Sequence, residues 1–241
     1  MQQSDGAAWQ SSALVQTFLG GMRGGLPLAV EQIEVMLRLL AGRAEPVRRF
    51  IDLGSGDGIL AAAILERYPD ATATLVDFSA PMLDAAQARF ANHAEALRFI
   101  RADFGDAAWV ATVADDAPYD AIVSGFAIQH LEDAAKQRVY REIFELLTPG
   151  GLFVNLDHVA SPTPWLSAVS GAALVDSFAA HQRRLGGSER AAHEFVNRSN
   201  KAVTHLALLA DQLGWLRDIG YVDVDGFFKF FEFAVFGGRR P

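Results

Sequence analysis

A glycine-rich turn within residues 50–60, FIDLGSGDGIL, constrains the fold of this chain more than any other stretch. The apolar residues that open it have the length and composition of a short buried strand in a parallel sheet. Glycines at positions 54, 56 and 58 then predict a tight turn into a helix that begins near Ile59, because glycine adopts backbone angles that other residues avoid. The N–H groups of the helix N-terminus lie behind this turn. The sequence therefore predicts a strand, turn and helix that cradle a nucleotide.

The charges beside the turn indicate which nucleotide it binds. A dinucleotide-binding turn spaces its glycines G-x-G-x-x-G and places a pyrophosphate on the helix N-terminus. Here the third glycine comes one residue early, and Asp52 and Asp57 flank the turn. Two carboxylates would repel a pyrophosphate but would suit S-adenosylmethionine, which carries a sulfonium and an ammonium group and no phosphate. A glycine-rich turn that binds no ligand is the alternative interpretation.

Composition narrows the class of protein. The chain has 241 residues, of which 51% are hydrophobic, enough for one large α/β domain with or without a cap. Cysteine is absent, so disulfides and thiolate metal sites are excluded, and we expect no metal site and a cytoplasmic location. No apolar run reaches membrane-spanning length. The net charge of −8 argues against a nucleic-acid partner, so we expect a small-molecule substrate. We also expect that the protein binds no membrane and is a monomer or a homodimer.

Strand and helix patterns alternate after the glycine turn. Helical patterns separate four further strand-like segments, at residues 73–76, 97–101, 119–124 and 152–156. Such alternation predicts a parallel sheet that binds ligands beyond the carboxyl ends of its strands. Residues 221–230 and 231–236 predict a final antiparallel hairpin.

Two segments interrupt this alternation. In residues 1–46 we expect a short helix at 11–19, a glycine-rich hinge, and a second helix that starts at Pro27 and ends at Gly42, with Val30, Ile33, Leu37 and Leu40 at helical spacing. This part is interpreted either as a flap over the ligand or as simple packing. Residues 160–202, with an apolar helix at 165–179, are interpreted as a substrate lid or as an oligomer contact.

The run DLGSGDG resembles the first motif of the class I S-adenosylmethionine-dependent methyltransferases. The resemblance implies an α/β, Rossmann-like fold with a seven-stranded, mostly parallel sheet, a C-terminal antiparallel hairpin and a helical lid. It divides the chain into an N-terminal helical flap, residues 1–46, and a class I methyltransferase domain, residues 47–241, with the lid at 160–202. It also implies S-adenosyl-L-methionine as cofactor and S-adenosyl-L-homocysteine as product.

Asp77 ends the second predicted strand, nineteen residues after Gly58. An acidic side chain at this distance from a glycine turn is placed to bind ribose hydroxyls. A second interpretation makes it a cap of the helix at Ala80, a role that Ser79 can fill beside it. With the family resemblance, the predicted cofactor-binding residues are Asp52, Gly54, Ser55, Gly56, Asp77, Phe78, Met82, Asp103, Phe104 and Ser124.

Three side chains are candidates for chemistry in the cleft. His130 follows the fourth strand, His158 ends the fifth, and Glu232 lies in the aromatic run FFKFFEFAVF. Asp157, beside His158, could reach the same cleft. Each histidine could act as a base or a substrate ligand, or be structural. Methyl transfer depends mostly on positioning, so few catalytic residues are expected.

A second resemblance covers residues 187–238. NRSN, WLRDIGY and the aromatic hairpin, together with QHLED after the fourth strand, are similar to carboxy-S-adenosylmethionine synthases. This implies that Arg198 binds a carboxylate, either of a substrate or of another subunit's cofactor. The predicted function is methyl transfer to a small molecule. The alternatives are a carboxy-S-adenosylmethionine synthase-like enzyme of tRNA wobble uridine modification, a non-catalytic S-adenosylmethionine-binding protein, and a nicotinamide enzyme.

Overall fold

A computed structural model describes residues 23–91, 96–186 and 204–241 of the chain. Within these ranges seven strands form one sheet, and helices cover both of its faces. The strands are β1 Arg49–Leu53, β2 Thr72–Asp77, β3 Leu97–Arg101, β4 Tyr119–Gly125, β5 Leu147–His158, β6 Val222–Phe230 and β7 Phe233–Arg239. The helices are α1 Ala29–Ala41, α2 Ile59–Arg67, α3 Ala80–Arg89, α4 Trp109–Val113, α5 Asp133–Leu146, α6 Pro164–Arg184 and α7 Leu209–Ile219, with 3₁₀ turns at Arg23–Gly25, Ala114–Asp116 and Ile128–His130.

The strand order is β3-β2-β1-β4-β5-β7-β6. β1 to β5 pair in parallel, whereas β7 lies antiparallel between β5 and β6. The predicted Rossmann-like α/β fold with an antiparallel C-terminal hairpin is therefore confirmed. The strand order reverses between β1 and β4, the place where open sheets of this kind bind ligands beyond the strand ends.

Apolar side chains on both faces of the sheet explain why its central strands are apolar throughout. On one face Phe50 packs with Met36 of α1 and Ile64 of α2. On the other, Ile51 packs in the cluster that holds Tyr140 of α5 and Leu216 of α7. Because both clusters pack against the same strands, the loops that follow the carboxyl ends of these strands are attached to a well-packed sheet.

Two predicted elements differ from the structure. α1 begins at Ala29 rather than Pro27, and its buried face carries Gln32, Met36 and Leu40. Val30, one of the apolar positions at helical spacing, is exposed, whereas Gln32 is buried and its amide donates to the Pro27 carbonyl at 2.8 Å.

The second difference concerns the segment TPGG, residues 148–151, which lies outside the strand predicted at 152–156. It belongs instead to β5, which begins at Leu147. Its glycines pair with the backbone beyond β7, since Gly150 N–H donates to the Arg240 carbonyl at 2.8 Å and Arg240 N–H to the Gly151 carbonyl at 2.9 Å. This long-range pairing supplies the hydrogen bonds that a loop would lack.

The helix predicted at 165–179 is longer in the structure, where α6 spans Pro164–Arg184. The Thr163 hydroxyl caps it by accepting from Leu166 N–H at 3.2 Å, and Ser177 donates to the Gly25 carbonyl at 2.9 Å. The helix predicted at 11–19, the start of the hinge and the second half of the lid lie outside the described residues. Among the described helices, none is both long and apolar enough to cross a bilayer.

Candidate active site

The loop between β1 and α2 follows the backbone path that its glycines require. Gly54, Gly56 and Gly58 have φ values of 69°, 54° and 77°, a region that side chains with a Cβ rarely occupy. A Cβ built on Gly54 would lie 2.2 Å from the Cβ of Ala127, which follows β4. The loops after β1 and β4 therefore touch at a point where only glycine fits.

The two carboxylates that flank this loop have different partners. Asp52 is buried, and its Oδ2 accepts from the N–H of Ala61 in the first turn of α2 at 3.0 Å. The Asp57 carboxylate instead forms a salt bridge with Arg89 of α3. Both carboxylates flank the turn, as the sequence indicates, but Arg89 compensates Asp57 whereas Asp52 lies at the N-terminus of α2.

Asp77, at the end of β2, links the glycine loop to the following helix. Its Oδ2 accepts from Gly56 N–H and its Oδ1 from Ser79 N–H, both at 2.8 Å. Burial raises the pKa of Asp77, and the N–H donors of Ser79 and Gly56 oppose that rise. The predicted Ser79 cap is present, since its Oγ accepts from Met82 N–H at 3.4 Å. Asp77 is thus held beside the loop while another residue caps α3.

The remaining predicted cofactor-binding residues lie at the same edge of the sheet. Asp103 follows β3 and accepts from Gly105 N–H at 2.8 Å through Oδ1. Phe104 and Met82 are buried, and Phe78 is partly buried. Ser124, near the end of β4, donates to the Leu53 carbonyl at 2.7 Å. Its hydroxyl therefore ties β4 to β1.

Polar side chains of the protein itself lie at the N-terminus of α2. The Asp52 carboxyl group already accepts from an N–H of this terminus, the position that a pyrophosphate takes in dinucleotide-binding folds. Ser55 Oγ is buried and, in the part of the chain that the structure describes, has no hydrogen-bond partner. The loop therefore holds a buried hydroxyl without a described partner, beside a helix terminus that the Asp52 side chain already occupies.

His158 and Glu232 are in contact at the ends of β5 and β7. His158 Nε2 lies 3.0 Å from Glu232 Oε2, and the imidazole stacks on the Phe233 ring with centroids 5.1 Å apart and planes at 14°. Burial would raise the pKa of Glu232, but hydrogen bonds from His158, Ser161 and Ser167 lower it to about 2. Glu232 is therefore an ionised carboxylate at neutral pH.

His130 occupies a different position on the same edge. It ends the 3₁₀ turn after β4, and its Nε2 lies 3.5 Å from the Gln129 amide nitrogen. It is not part of the His158–Glu232 hydrogen bond. His205 N–H donates to the Gln129 carbonyl at 3.0 Å, and its own carbonyl accepts from the buried Lys136. The segment that begins at residue 204 is thereby fixed to the loop that carries His130.

Asp157 does not join the histidine pair. Its side chain is buried against the layer of α5, where Asn155 Nδ2 donates to Oδ2 and the backbone N–H of His158 donates to Oδ1, both at 3.1 Å. Burial raises the pKa of Asp157 to about 7, and hydrogen bonds from Asn155 and His158 limit that rise. Its position two residues after Asn155 on one strand explains this direction, because strand side chains alternate between faces.

Sequence reasoning missed Phe126. This residue follows β4 with a φ of 54°, and its ring centroid lies 6.1 Å from that of Phe233. No sequence pattern predicts that a phenylalanine will adopt the left-handed backbone conformation. Arg198 lies outside the described residues, and the described part contains no group of three or more histidine or acidic residues arranged to hold a metal.

Comparisons with known proteins agree with this geometry. Residues 50–151 match the family model of the methyltransferase domain. The chain is 41% identical over 101 residues to an uncharacterised methyltransferase of Mycobacterium tuberculosis, covering 42% of this chain and 46% of that protein. It is 31% identical over 115 residues to a demethylmenaquinone methyltransferase of Thermus thermophilus, covering 48% and 49%. The chain thus spans about half the length of the curated relatives it matches.

The fold also occurs among solved structures. Human N-acetylserotonin methyltransferase, determined in complex with S-adenosylmethionine, superposes with a TM-score of 0.62 at 15% identity, covering 99% of this chain and 59% of that one. The strand order, the glycine loop and this superposition give the chain the fold of the class I S-adenosylmethionine-dependent methyltransferases. Within that fold, residues 50–151 are the part that matches the methyltransferase-domain model.

Proposed function

We propose that this protein transfers a methyl group from S-adenosyl-L-methionine to a small-molecule acceptor and releases S-adenosyl-L-homocysteine. The observation that carries the proposal is the Asp52 carboxylate on the N-terminus of α2, beside a glycine loop that Asp77 holds. Because the chain's own anion takes the phosphate position, the loop suits a cationic nucleoside better than a dinucleotide.

Several side chains have proposed roles toward the cofactor. Asp77 would accept from the ribose hydroxyls with lone pairs that remain after its two backbone contacts. Ser55 would use its buried hydroxyl, and the backbone at Gly54 and Gly56 would approach the ligand closely. The adenine would lie among Phe78, Met82, Asp103 and Phe104, while Asp52 and Ser124 would hold the loop and the end of β4.

When bound, S-adenosylmethionine supplies a methyl group whose bond to sulfur breaks with both electrons left on sulfur. The protein's contribution is to orient the acceptor and exclude water. A small acceptor agrees with the net charge of −8 and with relatives named as demethylmenaquinone methyltransferases. The 160–202 lid, the cytoplasmic location and the monomeric or dimeric state stay predictions. The carboxy-S-adenosylmethionine synthase alternative depends on Arg198, so methyl transfer is the function proposed.

Calorimetric titration of the whole chain tests the cofactor. We expect S-adenosylmethionine and S-adenosylhomocysteine to bind and NAD not to bind. Asp77→Ala should weaken cofactor binding by about 1–3 kcal/mol through lost hydrogen bonds. Asp84→Ala, which removes an exposed carboxylate on α3, is the matched control and should bind normally. Preferential binding of NAD, or unchanged affinity in Asp77→Ala, would contradict the proposal.

Mass spectrometry separates the alternatives. We expect a cofactor of unmodified mass, and deuterated methyl groups on at least one compound of a metabolite extract incubated with trideuteromethyl-labelled cofactor. A bound cofactor with the mass of an added carboxylate would support the synthase alternative. Binding with no methylated compound would support the non-catalytic alternative.

A further inference from the structure

A buried lysine connects α5 to the segment that begins at residue 204. Lys136, in the first turn of α5, is 1% exposed, and its ammonium group donates to Asp133 Oδ1 at 2.9 Å and to the His205 carbonyl. A lysine is rarely buried to this degree unless its charge is paired. The Asp133 side chain is 57% exposed, so water weakens that ion pair. The His205 carbonyl is therefore the acceptor that holds Lys136 from the interior.

The same segment holds the loop after β4. His205 N–H donates to the Gln129 carbonyl at 3.0 Å. Gln129 lies in the 3₁₀ turn that follows Ala127, the residue whose side chain lies against the backbone of Gly54. A chain of contacts thus runs from the Lys136 ammonium through the His205 backbone to the loop beside the proposed cofactor site.

A second carboxyl group, that of Asp157, lies within electrostatic reach of Lys136. Asp157 is 1% exposed, and its hydrogen bonds come from Asn155 Nδ2 and the backbone N–H of His158. The hydrogen bonds of Lys136 go instead to Asp133 and His205. The ammonium therefore lies between an exposed carboxylate that it binds and a buried carboxyl group that it does not bind.

Few ionisable side chains surround Asp157. Those that act on it come from α5 and from β5 itself: Lys136, Tyr140 and His158. On β7 the partner of Asp157 is Ala234, and on α7 the neutral Gln212 accepts from the Tyr140 hydroxyl at 2.5 Å. Burial raises the pKa of Asp157 to about 7, so this carboxyl group changes its charge in the neutral range. Lys136 is the cation on the neighbouring helix that can respond.

The two charge states of Asp157 act differently on Lys136. A buried carboxylate attracts an ammonium group more strongly than a backbone carbonyl does, because a full charge meets a full charge in a medium of low dielectric constant. A neutral carboxyl group exerts no such attraction and leaves the ammonium on the His205 carbonyl. The lysine side chain is flexible, so rotation of its terminal bonds moves the ammonium from one acceptor toward the other.

We propose that Lys136 is the positioning residue of the loop at 126–130 and that the charge of Asp157 controls it. With Asp157 neutral, Lys136 holds His205 and the loop; with Asp157 ionised, the ammonium turns toward Asp157 and the loop loosens. The loop is therefore held more firmly in mildly acidic than in alkaline solution. The effect on ligand affinity rests on the proposed function, whereas the movement of Lys136 does not.

Hydrogen exchange of the His205 backbone N–H tests this release without a ligand. In ¹⁵N-labelled protein we expect its protection, relative to the intrinsic exchange rate, to fall about tenfold between pH 5.5 and pH 8.0, as one hydrogen bond weakens. Asp157→Asn keeps every histidine but no charge at this position, and its protection should not change with pH. Lys136→Met should show the low protection already at pH 5.5.

A second amide reports opening of the whole fold. Gly150 N–H, which donates to the Arg240 carbonyl at the opposite end of β5, should keep its protection relative to His205 only if the whole sheet opens. We expect the ratio of the two protections to change with pH in the unmodified protein and to stay constant in Asp157→Asn. A constant ratio in both proteins would overturn the proposal.

Calorimetry with S-adenosylhomocysteine connects the loop to the site. The affinity of Asp157→Asn relative to the unmodified protein should rise from about one at pH 5.5 to about threefold to tenfold at pH 8.0, the usual size of a coupling between neighbouring sites. Because the ligand titrates equally in both measurements, the ratio reports the protein alone. Lys136→Arg keeps a cation and should bind as the unmodified protein does at pH 5.5, whereas Lys136→Met should bind more weakly.

The outcomes separate the inference from the proposed function. Protection of His205 N–H that is independent of pH, or unmodified protection in Lys136→Met, would overturn the inference. An affinity ratio that stays at one although His205 is released would overturn the positioning role. Failure of the unmodified chain to bind S-adenosylhomocysteine at either pH would instead refute the proposed function, and the exchange measurement would still decide the inference. Urea unfolding of each variant checks that it is folded.

Discussion

The two halves of the carboxyl edge are built in different ways. In the glycine-loop half, above β1 to β3, carboxylates bind backbone N–H groups near them in the chain: Asp103 binds Gly105 and Asp77 binds Ser79, each two positions away. In the histidine half, above β4, β5 and β7, His158 meets Glu232 across 74 positions. In the first half Asp77 also binds Gly56 N–H, 21 positions back in the chain. The first half therefore depends on contacts between carboxylates and backbone N–H groups, whereas the second depends on a side-chain pair that sheet topology brings together. Substitutions in the two halves should have separate consequences.

Gly54→Ala should have the largest effect on stability and cofactor binding, and the structural change should be limited to the glycine-loop half. The new Cβ would lie 2.2 Å from Ala127 at a φ of 69°, so we expect a loss of about 3–4 kcal/mol in unfolding free energy and of cofactor binding. Urea unfolding and calorimetry measure both losses. Gly171→Ala on α6, where a Cβ meets nothing within 4 Å, is the control and should stabilise slightly. Normal cofactor affinity in Gly54→Ala would show that the cofactor does not approach the backbone closely at this position.

Asp157→Asn should stabilise the histidine half at alkaline pH. Asp157 has a pKa of about 7 in the folded protein and about 3.9 when unfolded, so between these values the folded state holds a proton that the unfolded chain has lost. Stability therefore falls as pH rises from 4 to 7. The neutral amide avoids that loss, and the variant should exceed the unmodified protein by about 2–3 kcal/mol at pH 8 and match it near pH 4.

The structure offers the new amide a partner. Asn155 Oδ1 is buried and has no hydrogen-bond partner among the described residues, so it can accept from Asn at position 157. Urea unfolding at both pH values measures the effect. A stability difference of the same size at pH 4 and pH 8 would show that the charge of Asp157 is not its cause.

Glu232→Gln should destabilise the same half with the opposite pH dependence. The pKa of Glu232 is lowered to about 2 from its usual 4.5, so the carboxylate contributes stability above pH 4.5 that is lost as pH falls through 2. We expect the variant to lose about 1–2 kcal/mol at pH 7. Unfolding curves from pH 7 down to pH 2 should converge for the two proteins. A gap that persists at pH 2 would assign the loss to packing rather than to charge.

Arg89→Met should have the smallest effect. Arg89 is partly exposed and compensates Asp57, and a salt bridge of this kind contributes about 1 kcal/mol or less. Cofactor affinity should change less than threefold, because the anion at the N-terminus of α2 is Asp52. A larger change, measured by calorimetry, would mean that the charge of Asp57 acts on the cofactor. Asp52 and Asp57 would then both affect cofactor binding.

The difference between the halves also explains what the sequence could predict. Some features depend on residues that are close in the chain, and their spacing in the sequence predicts them. These are the glycine turn, the Ser79 cap and the position of Asp77. The salt bridge between Asp57 and Arg89 spans 32 positions, so an argument from the charges beside the turn counted Asp57 without its counterion. Spacing reports which carboxylates are near a loop, but not which of them already have a counterion.

Contacts in the histidine half were less predictable because sheet pairing decides them. The convergence of His158 and Glu232 was foreseen only as one arrangement among several, since it requires β7 to lie against β5. The direction of Asp157 follows from strand alternation once the register is known. The inward turn of Gln32 and the backbone of Phe126 depend on individual tertiary contacts that leave no periodic signal.

The place of β7 has a consequence for biosynthesis. A ribosome makes β5 before β6 and β7, yet β7 is the strand that pairs with β5. Until residues up to Arg239 have emerged, the outer edge of β5 exposes unpaired N–H and C=O groups to other nascent chains. The His158 imidazole acquires its carboxylate partner, Glu232, in that same late step, so this side-chain contact forms only after β7 has paired with β5.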